Sequence, residues 1–188
     1  NPHAARYGIF QDDFMVYRNC RQYLDACTYP AKGYWNLTTF DGRPGSSNEK
    51  VINGQPTGWY EAANLMSPPG YQAGRGAVAL VFDREALLTL LSSRHMAERP
   101  IDSTRGHEAV DGGIVWAMNK AGYREFIHNP SLVCHAGGDA STMGHGKYKL
   151  PKTWKGEEFD ALSLLPSTLQ VTSPNTSELA PTPAATDH

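Results

Sequence analysis

The sequence predicts an α/β fold, because strand-like and helix-like segments alternate along it. A first apolar run ends at Asp12 and Asp13. Residues Ala77 to Phe82 form a buried-type strand that helical spacing follows at once. A later helix ended by Gly122 leads into an alternating, strand-like segment from Tyr123 to His128. These repeated units indicate a sheet with helices packed on it.

Length and composition exclude several classes of protein. The 188 residues fit one domain with a sizeable core. A net charge of −2 and a pI near 6.4 give no electrostatic footprint for nucleic acid. No apolar run approaches the roughly 20 residues of a membrane helix, and no signal-peptide pattern is present. Three cysteines form neither a disulfide framework nor a CxxC metal pattern. We therefore expect a cytoplasmic protein with no membrane segment.

The first half of the chain combines one regular stretch with a long irregular one. Apolar residues at three- and four-residue steps predict a helix from Phe14 to Cys27, and the β-branched and aromatic stretch from Tyr34 to Phe40 predicts a strand. Glycine, proline, serine and asparagine then dominate residues 41–76, which predicts loops with little regular structure. Within them, Trp59 and Tyr60 are interpreted as buried anchors, with a platform for a sugar ring or base as the alternative.

The second half is more regular until its end. Asp83 is a predicted N-cap for the helix that follows the strand Ala77 to Phe82. Asp111 stands near the predicted start of the helix that Gly122 ends. From about Leu165 onward, proline, serine, threonine and alanine dominate and apolar clusters vanish. We expect a folded portion over residues 1–164 and a disordered tail over residues 165–188.

Three elements carry the candidate chemistry. Carboxylates at the mouth of a strand, as at Asp12 and Asp13, suit hard cations such as Mg²⁺ or Mn²⁺, whereas the simpler interpretation is a helix N-cap. His135 precedes a segment rich in glycine, and Asp111 could act as a general base. Taken alone, a structural histidine and a capping or solvated carboxylate are the default interpretations of the last two.

The order of these segments resembles a known family. The sequence runs from QDD through GRGAVALVFDREALLTLL to VDGGIVWAMNKAGYREFIHNPSLVCHAGG. This order is similar to the second half of a GT-A-fold glycosyltransferase, in which a strand ends in a DxD or EDD signature. The HNPSLVCH segment is the most specific part, and the resemblance covers roughly residues 7–147. It implies a GT-A-like mixed sheet flanked by helices, and transfer of a sugar from a nucleotide-sugar donor to a hydroxyl acceptor.

The resemblance also implies roles for individual residues. Asp13 matches the carboxylate that binds the divalent metal, Mn²⁺ or Mg²⁺, and His135 matches the histidine that completes the site. Asp12 would assist at the metal or at the donor ribose. Asp111 matches the acidic residue that serves as the base in inverting members. The segment whose backbone lines the donor sugar is matched by Arg75, Gly76 and Ala77.

The resemblance leaves part of the fold unaccounted for. The nucleotide-binding half that precedes the signature strand in the family is absent from this sequence, and we expect upstream sequence to be missing. A second polypeptide could supply that half. Two other functions stay open: a non-catalytic binding or assembly module that keeps the fold, and a metal-dependent phosphoesterase using Asp12, Asp13, His135 and His145.

Overall fold

The structure, a computed structural model, describes residues 3–39, 47–63, 77–98, 110–135 and 150–166. The first described elements are β1 (Arg6–Phe10), β2 (Phe14–Val16), α1 (Cys20–Ala26), β3 (Gly33–Asn36), α2 (Ser47–Ile52) and β4 (Gly58–Glu61). They are followed by β5 (Ala79–Asp83), α3 (Arg84–Leu91), α4 (Arg94–Glu98), α5 (Val110–Lys120), β6 (Arg124–Asn129), β7 (Val133–His135) and a 3₁₀ helix (Ala161–Leu164).

The described strands form a mixed five-stranded sheet and a separate two-stranded ribbon. The order in the sheet is β1-β5-β3-β6-β4, and the ribbon joins β2 to β7. Strand β5 is antiparallel to both β1 and β3, and β3 is parallel to β6. Strands β1, β3 and β6 therefore end at the same edge of the sheet. The predicted α/β class, with a mixed sheet flanked by helices, is confirmed.

Each face of the sheet carries its own apolar cluster, because neighbouring residues of a strand point to opposite faces. Tyr34 packs on one face with Phe82 and with residues of α3 and α5. Trp35 packs on the other face with Tyr23 of α1 and with Leu165. The sheet is thus covered on both sides, as α/β folds with crossover helices require.

The helix predicted from Phe14 to Cys27 is wrong in its first half. Phe14–Val16 is strand β2, and the helix begins only at Cys20. Asn19, just before it, has a left-handed backbone (φ 56°), which interrupts any helix there. The apolar spacing of residues 14–17 instead serves pairing with β7, a long-range partner that a local pattern does not reveal.

The irregular region predicted for residues 41–76 holds two regular elements. Helix α2 and strand β4 both lie inside it, and β4 closes one side of the sheet against β6. Trp59 lies on β4 and stacks on Tyr29, with ring centroids 5.4 Å apart. This contact agrees with the interpretation of Trp59 as a packing anchor. Residues 40–46 and 64–76 lie outside the described ranges.

The predicted elements of the second half are found close to where we expected them. Asp83 caps α3, since its Oδ1 accepts a hydrogen bond from the Ala86 amide at 2.7 Å. Helix α5 is followed by Gly122 with φ 87°, a left-handed conformation that glycine adopts without strain. The predicted strand Tyr123 to His128 is β6, shifted by one residue.

A segment after residue 150 returns across the face of the sheet that carries Trp35. Tyr17 stacks on Trp154 at 4.5 Å, and the Tyr17 hydroxyl accepts the amide hydrogen of Lys155 at 2.8 Å. Leu165, which we expected to begin the tail, is buried in the cluster around Trp35. Residues 167–188, the rest of the predicted tail, lie outside the described part.

Candidate functional site

The candidate residues gather where β1 ends. The Gln11 amide donates to the Val78 carbonyl at 2.9 Å, which extends the pairing of β1 with β5 by one step. Asp12 and Asp13 follow Gln11 directly and are exposed in a turn, whereas Ala77 directly precedes Val78 and is buried. The carboxylates and Ala77 therefore lie next to each other at the edge where β1, β3 and β6 end.

The structure brings Asp13 and His135 together. The two-stranded ribbon pairs Phe14 with His135, which places the preceding Asp13 beside the imidazole. Asp13 Oδ2 lies 3.0 Å from His135 Nε2, and the side chains are 51% and 14% exposed. An exposed carboxylate and a nearly buried imidazole thus share one contact at the surface. The sequence places these residues more than a hundred positions apart, and only the ribbon explains their meeting.

A set of hydrogen bonds fixes the strand that carries His135. Ser131, in the turn between β6 and β7, is buried and its hydroxyl donates to the Val133 carbonyl at 2.8 Å. The same oxygen accepts the Thr39 amide hydrogen at 2.9 Å. Because Thr39 follows the end of β3, these bonds lock β7 against the sheet. His135 is therefore held by the core and not by a free loop.

Asp111 lies in the first turn of α5, as predicted. It contacts the sheet edge where β1 ends through the backbone of Ala77. Its carboxylate accepts a hydrogen bond from the backbone N–H of Ala77. Burial raises the pKa of Asp111, and the Ala77 hydrogen bond opposes that rise. The Asp111 side chain thus contacts the backbone of Ala77, and both residues belong to the predicted site.

The remaining predicted positions are placed less fully. Asp12 is exposed beside Asp13. Arg75 and Gly76, predicted to line the donor, lie outside the described residues, as does His145 of the phosphoesterase alternative. The structure therefore assembles Asp12, Asp13, His135, Ala77 and Asp111 at one edge, and the described ranges leave the other three untested.

Sequence reasoning missed a buried carboxyl under α5. Glu125 of β6 is 2% exposed and accepts hydrogen bonds from Asn36 Nδ2 at 2.8 Å and from the Tyr34 hydroxyl at 3.4 Å. Burial raises the pKa of Glu125, and the charge of Asp111 adds to that rise. The sequence signal for Glu125 is its spacing from Ile127. Residues two apart on a strand point to the same face, here the core face.

The donor set suits a hard cation but is small. Among the described residues, no group of three or more histidine, cysteine, aspartate or glutamate side chains could hold a metal. Asp13 and His135 supply one carboxylate and one imidazole, a combination that Mn²⁺ accepts. Such cations are often bound by one or two protein side chains together with substrate phosphates. The two residues therefore fit a metal that a diphosphate helps to hold.

Comparisons with protein-family models, with curated proteins and with solved structures found no match. The described helices include none with the length and apolar character needed to cross a membrane. What bears on function is therefore the arrangement at the sheet edge: a carboxylate–imidazole pair on one side and a half-buried carboxylate on the other.

Proposed function

We propose that the protein is a metal-dependent glycosyltransferase that moves a sugar from a nucleotide-sugar donor to a hydroxyl acceptor. The observation that carries this proposal is the meeting of Asp13 with His135 beside the contact between Ala77 and Asp111. A site for group transfer needs a place for the leaving diphosphate and a base for the acceptor. These two pairs supply one group for each task, at the edge where ligands of α/β sheets bind.

The diphosphate side would be formed by Asp13 and His135. These two residues would hold Mn²⁺ or Mg²⁺, which neutralises the negative charge of a diphosphate leaving group when bound. Asp12 is exposed in the same turn and is free to orient the donor ribose by hydrogen bonding. Ala77, together with the preceding Arg75 and Gly76, is proposed to line the donor sugar. The absence of a long side chain at residues 76 and 77 would let the backbone approach the sugar closely.

The acceptor side would be formed by Asp111. A general base must be ionised at the working pH, and it is most effective when its pKa lies near that pH. Burial raises the pKa of Asp111, which makes it a stronger base than an exposed aspartate, while the Ala77 amide keeps the ionised form stabilised. In this role Asp111 takes the proton of the acceptor hydroxyl while the hydroxyl oxygen bonds to the donor sugar and the bond between the sugar and the diphosphate breaks.

A non-catalytic binding or assembly module is the second candidate. It is favoured by the small number of metal-ligating side chains among the described residues. In that case Asp13 and His135 form a structural ion pair that fastens β2 to β7. In the first proposal, a second polypeptide would supply the nucleotide-binding half that the resemblance implies.

The experiment begins with metal binding. Mn²⁺ and a nucleoside diphosphate at about a hundred times the dissociation constant should stabilise the folded protein by about 2.7 kcal/mol, seen as a higher melting temperature. Asp13→Ala should abolish this rise. The matched control is Asp25→Ala, an exposed carboxylate on α1 that forms an ion pair with Arg21. An unchanged rise in Asp13→Ala would move the metal elsewhere.

Transfer is then measured on the wild type and on Asp111→Asn with any polypeptide needed for donor binding present. The variant should lose roughly 10²–10⁴ in turnover, the usual contribution of a general base. Its donor affinity, measured by calorimetry, should stay unchanged because Asp111 faces the acceptor. Metal-dependent stabilisation without transfer in the wild type would favour the binding module.

A further inference from the structure

Strand β1 is a side strand of the five-stranded sheet, and within the described part of the chain its outer edge faces no strand. It pairs with β5, and no other described strand pairs with it. Two of its apolar side chains are well exposed, Ile9 at 43% and Phe10 at 40%. Proteins normally protect such edges with charges, prolines or bulges, because an exposed apolar edge strand is a template for another strand. Apart from Arg6 at its start, β1 carries none of these devices.

The pairing with β5 shows which backbone groups face outward. The Gln11 amide bonds to the Val78 carbonyl, so Gln11 directs its backbone groups inward. Hydrogen-bonding direction alternates along an antiparallel strand. Tyr7 and Ile9 therefore also bond to β5, while the N–H and C=O groups of the alternate residues point away from it. These outward residues are Arg6, Gly8 and Phe10.

We propose that β1 pairs antiparallel with β1 of a second copy of this chain, around a two-fold axis at Gly8. In this register Gly8 faces Gly8, Arg6 faces Phe10 and Tyr7 faces Ile9. The three outward residues of each copy then meet as hydrogen-bonded pairs, which gives about six hydrogen bonds across the interface. The two sheets become one continuous sheet in the dimer.

The sequence of β1 is complementary to itself in this register. The Arg6 guanidinium meets an aromatic ring of the second copy and not another arginine, and cations attract aromatic faces. Tyr7 and Ile9 form an aromatic–β-branched pair on the opposite face, a favourable cross-strand combination. Glycine at the axis removes the one side chain that would have to meet its own copy. A two-fold interface requires this kind of self-matching surface.

A cavity beside β1 would be covered in the dimer. It measures about 660 Å³ and is lined by Arg6, Gly8 and Phe10 of β1, by Tyr29 and by residues of α1. The Arg6 guanidinium lies 3.8 Å above the Tyr29 ring at this place. Phe10 of the second copy, opposite Arg6, lies at the mouth of the cavity and adds apolar surface to it. The second copy thus covers both the edge and the open face next to it.

The first test is sedimentation over roughly a hundredfold range of protein concentration, because mass action populates a dimer as concentration rises. Two variants place opposite charges at residue 10. Phe10→Arg puts an arginine opposite Arg6 at both ends of the interface, so like charges face each other and the dimer should be abolished. Phe10→Glu creates an ion pair with Arg6 at both ends and should retain the dimer. Both variants lose the ring contact of Phe10 with Phe14 equally. Equal behaviour of the two variants would contradict the register.

The second test is amide hydrogen exchange resolved by NMR. On dimerisation the outward amides of Arg6, Gly8 and Phe10 should become at least tenfold slower, whereas those of Tyr7 and Ile9 are slow at every concentration because they bond to β5. A monomer at all concentrations overturns the proposal. So does slow exchange of the outward amides that is independent of concentration, because it would assign the edge to another occupant.

Discussion

The buried pair of Tyr23 and His128 should make the folded state sensitive to acid. His128 is 0% exposed, and its Nδ1 lies 2.6 Å from the Pro130 carbonyl, to which it must donate. Its Nε2, 2.6 Å from the Tyr23 hydroxyl, therefore accepts the hydroxyl proton. Both ring nitrogens are satisfied in the neutral tautomer. Burial lowers the pKa of His128 from 6.5 to about 4.

The magnitude follows from linkage between protonation and folding. A pKa lowered from 6.5 to about 4 corresponds to about 3 kcal/mol, at roughly 1.4 kcal/mol for each pH unit. Above pH 6.5 neither state binds the proton and the full stability is present. As the pH falls from 6.5 to about 4, the unfolded chain becomes protonated first, so the free energy of unfolding decreases through this window. Below it both states are protonated and the loss is complete.

Urea unfolding at about pH 7.5, 5.5 and 4 measures this loss, and variants assign it. His128→Gln should be less stable than the wild type near neutrality and should lose about 3 kcal/mol less between the two ends of the range. His95→Gln is the control, since His95 is only partly buried on α4. Carboxylates contribute equally to the acid response of all three proteins. The same pH dependence in His128→Gln and in the wild type would refute the assignment to His128.

Two further substitutions, one on β6 beneath α5 and one on α5 itself, test the packing around this helix. Burial raises the pKa of Glu125, so the unfolded chain ionises first and the free energy of unfolding falls as the pH rises. Glu125→Gln should therefore be more stable than the wild type near neutrality and equally stable near pH 4. Urea unfolding at the two pH values measures this difference. A lower stability at both pH values would contradict this. A Cβ on Gly113 would meet the His95 ring, so Gly113→Ala should destabilise by about 1–3 kcal/mol. In a His95→Ala background the same change should stabilise by up to about 1 kcal/mol, because alanine favours a helix over glycine, and thermal unfolding of the four proteins measures this reversal of sign.

The sequence was most informative where local signals agreed. Asp83, the apolar spacing after it and Gly122 each act within a few residues of chain, and the elements they predict are found. Strand β2 depends on pairing with residues more than a hundred positions away, so its spacing was mistaken for the start of a helix. Helix α2 and strand β4 lie among turn-forming residues, and tertiary packing outweighs their weak local preference.

The candidate site was predictable to a similar extent. The order of segments suggested that Asp13 and His135 belong together, and the ribbon places them in contact. The contact between Asp111 and the backbone of Ala77 was not predictable in detail, because no sequence pattern reports a backbone donor. Glu125 was missed because alternation alone does not distinguish a buried carboxyl from an exposed one. Its partners, Asn36 and Tyr34, come from a strand about ninety residues earlier.

The returning segment after residue 150 affects the order in which this protein can fold during synthesis. Tyr17 leaves the ribosome well before Trp154 and Phe159, which it contacts, and Ala161 bonds to the Arg18 carbonyl at 3.0 Å. These partners of the Tyr17 region are made only after more than a hundred further residues have been added to the chain. The apolar face around Tyr17 therefore stays open until nearly the whole described chain has been translated. Until then that face is available to chaperones and exposed to aggregation.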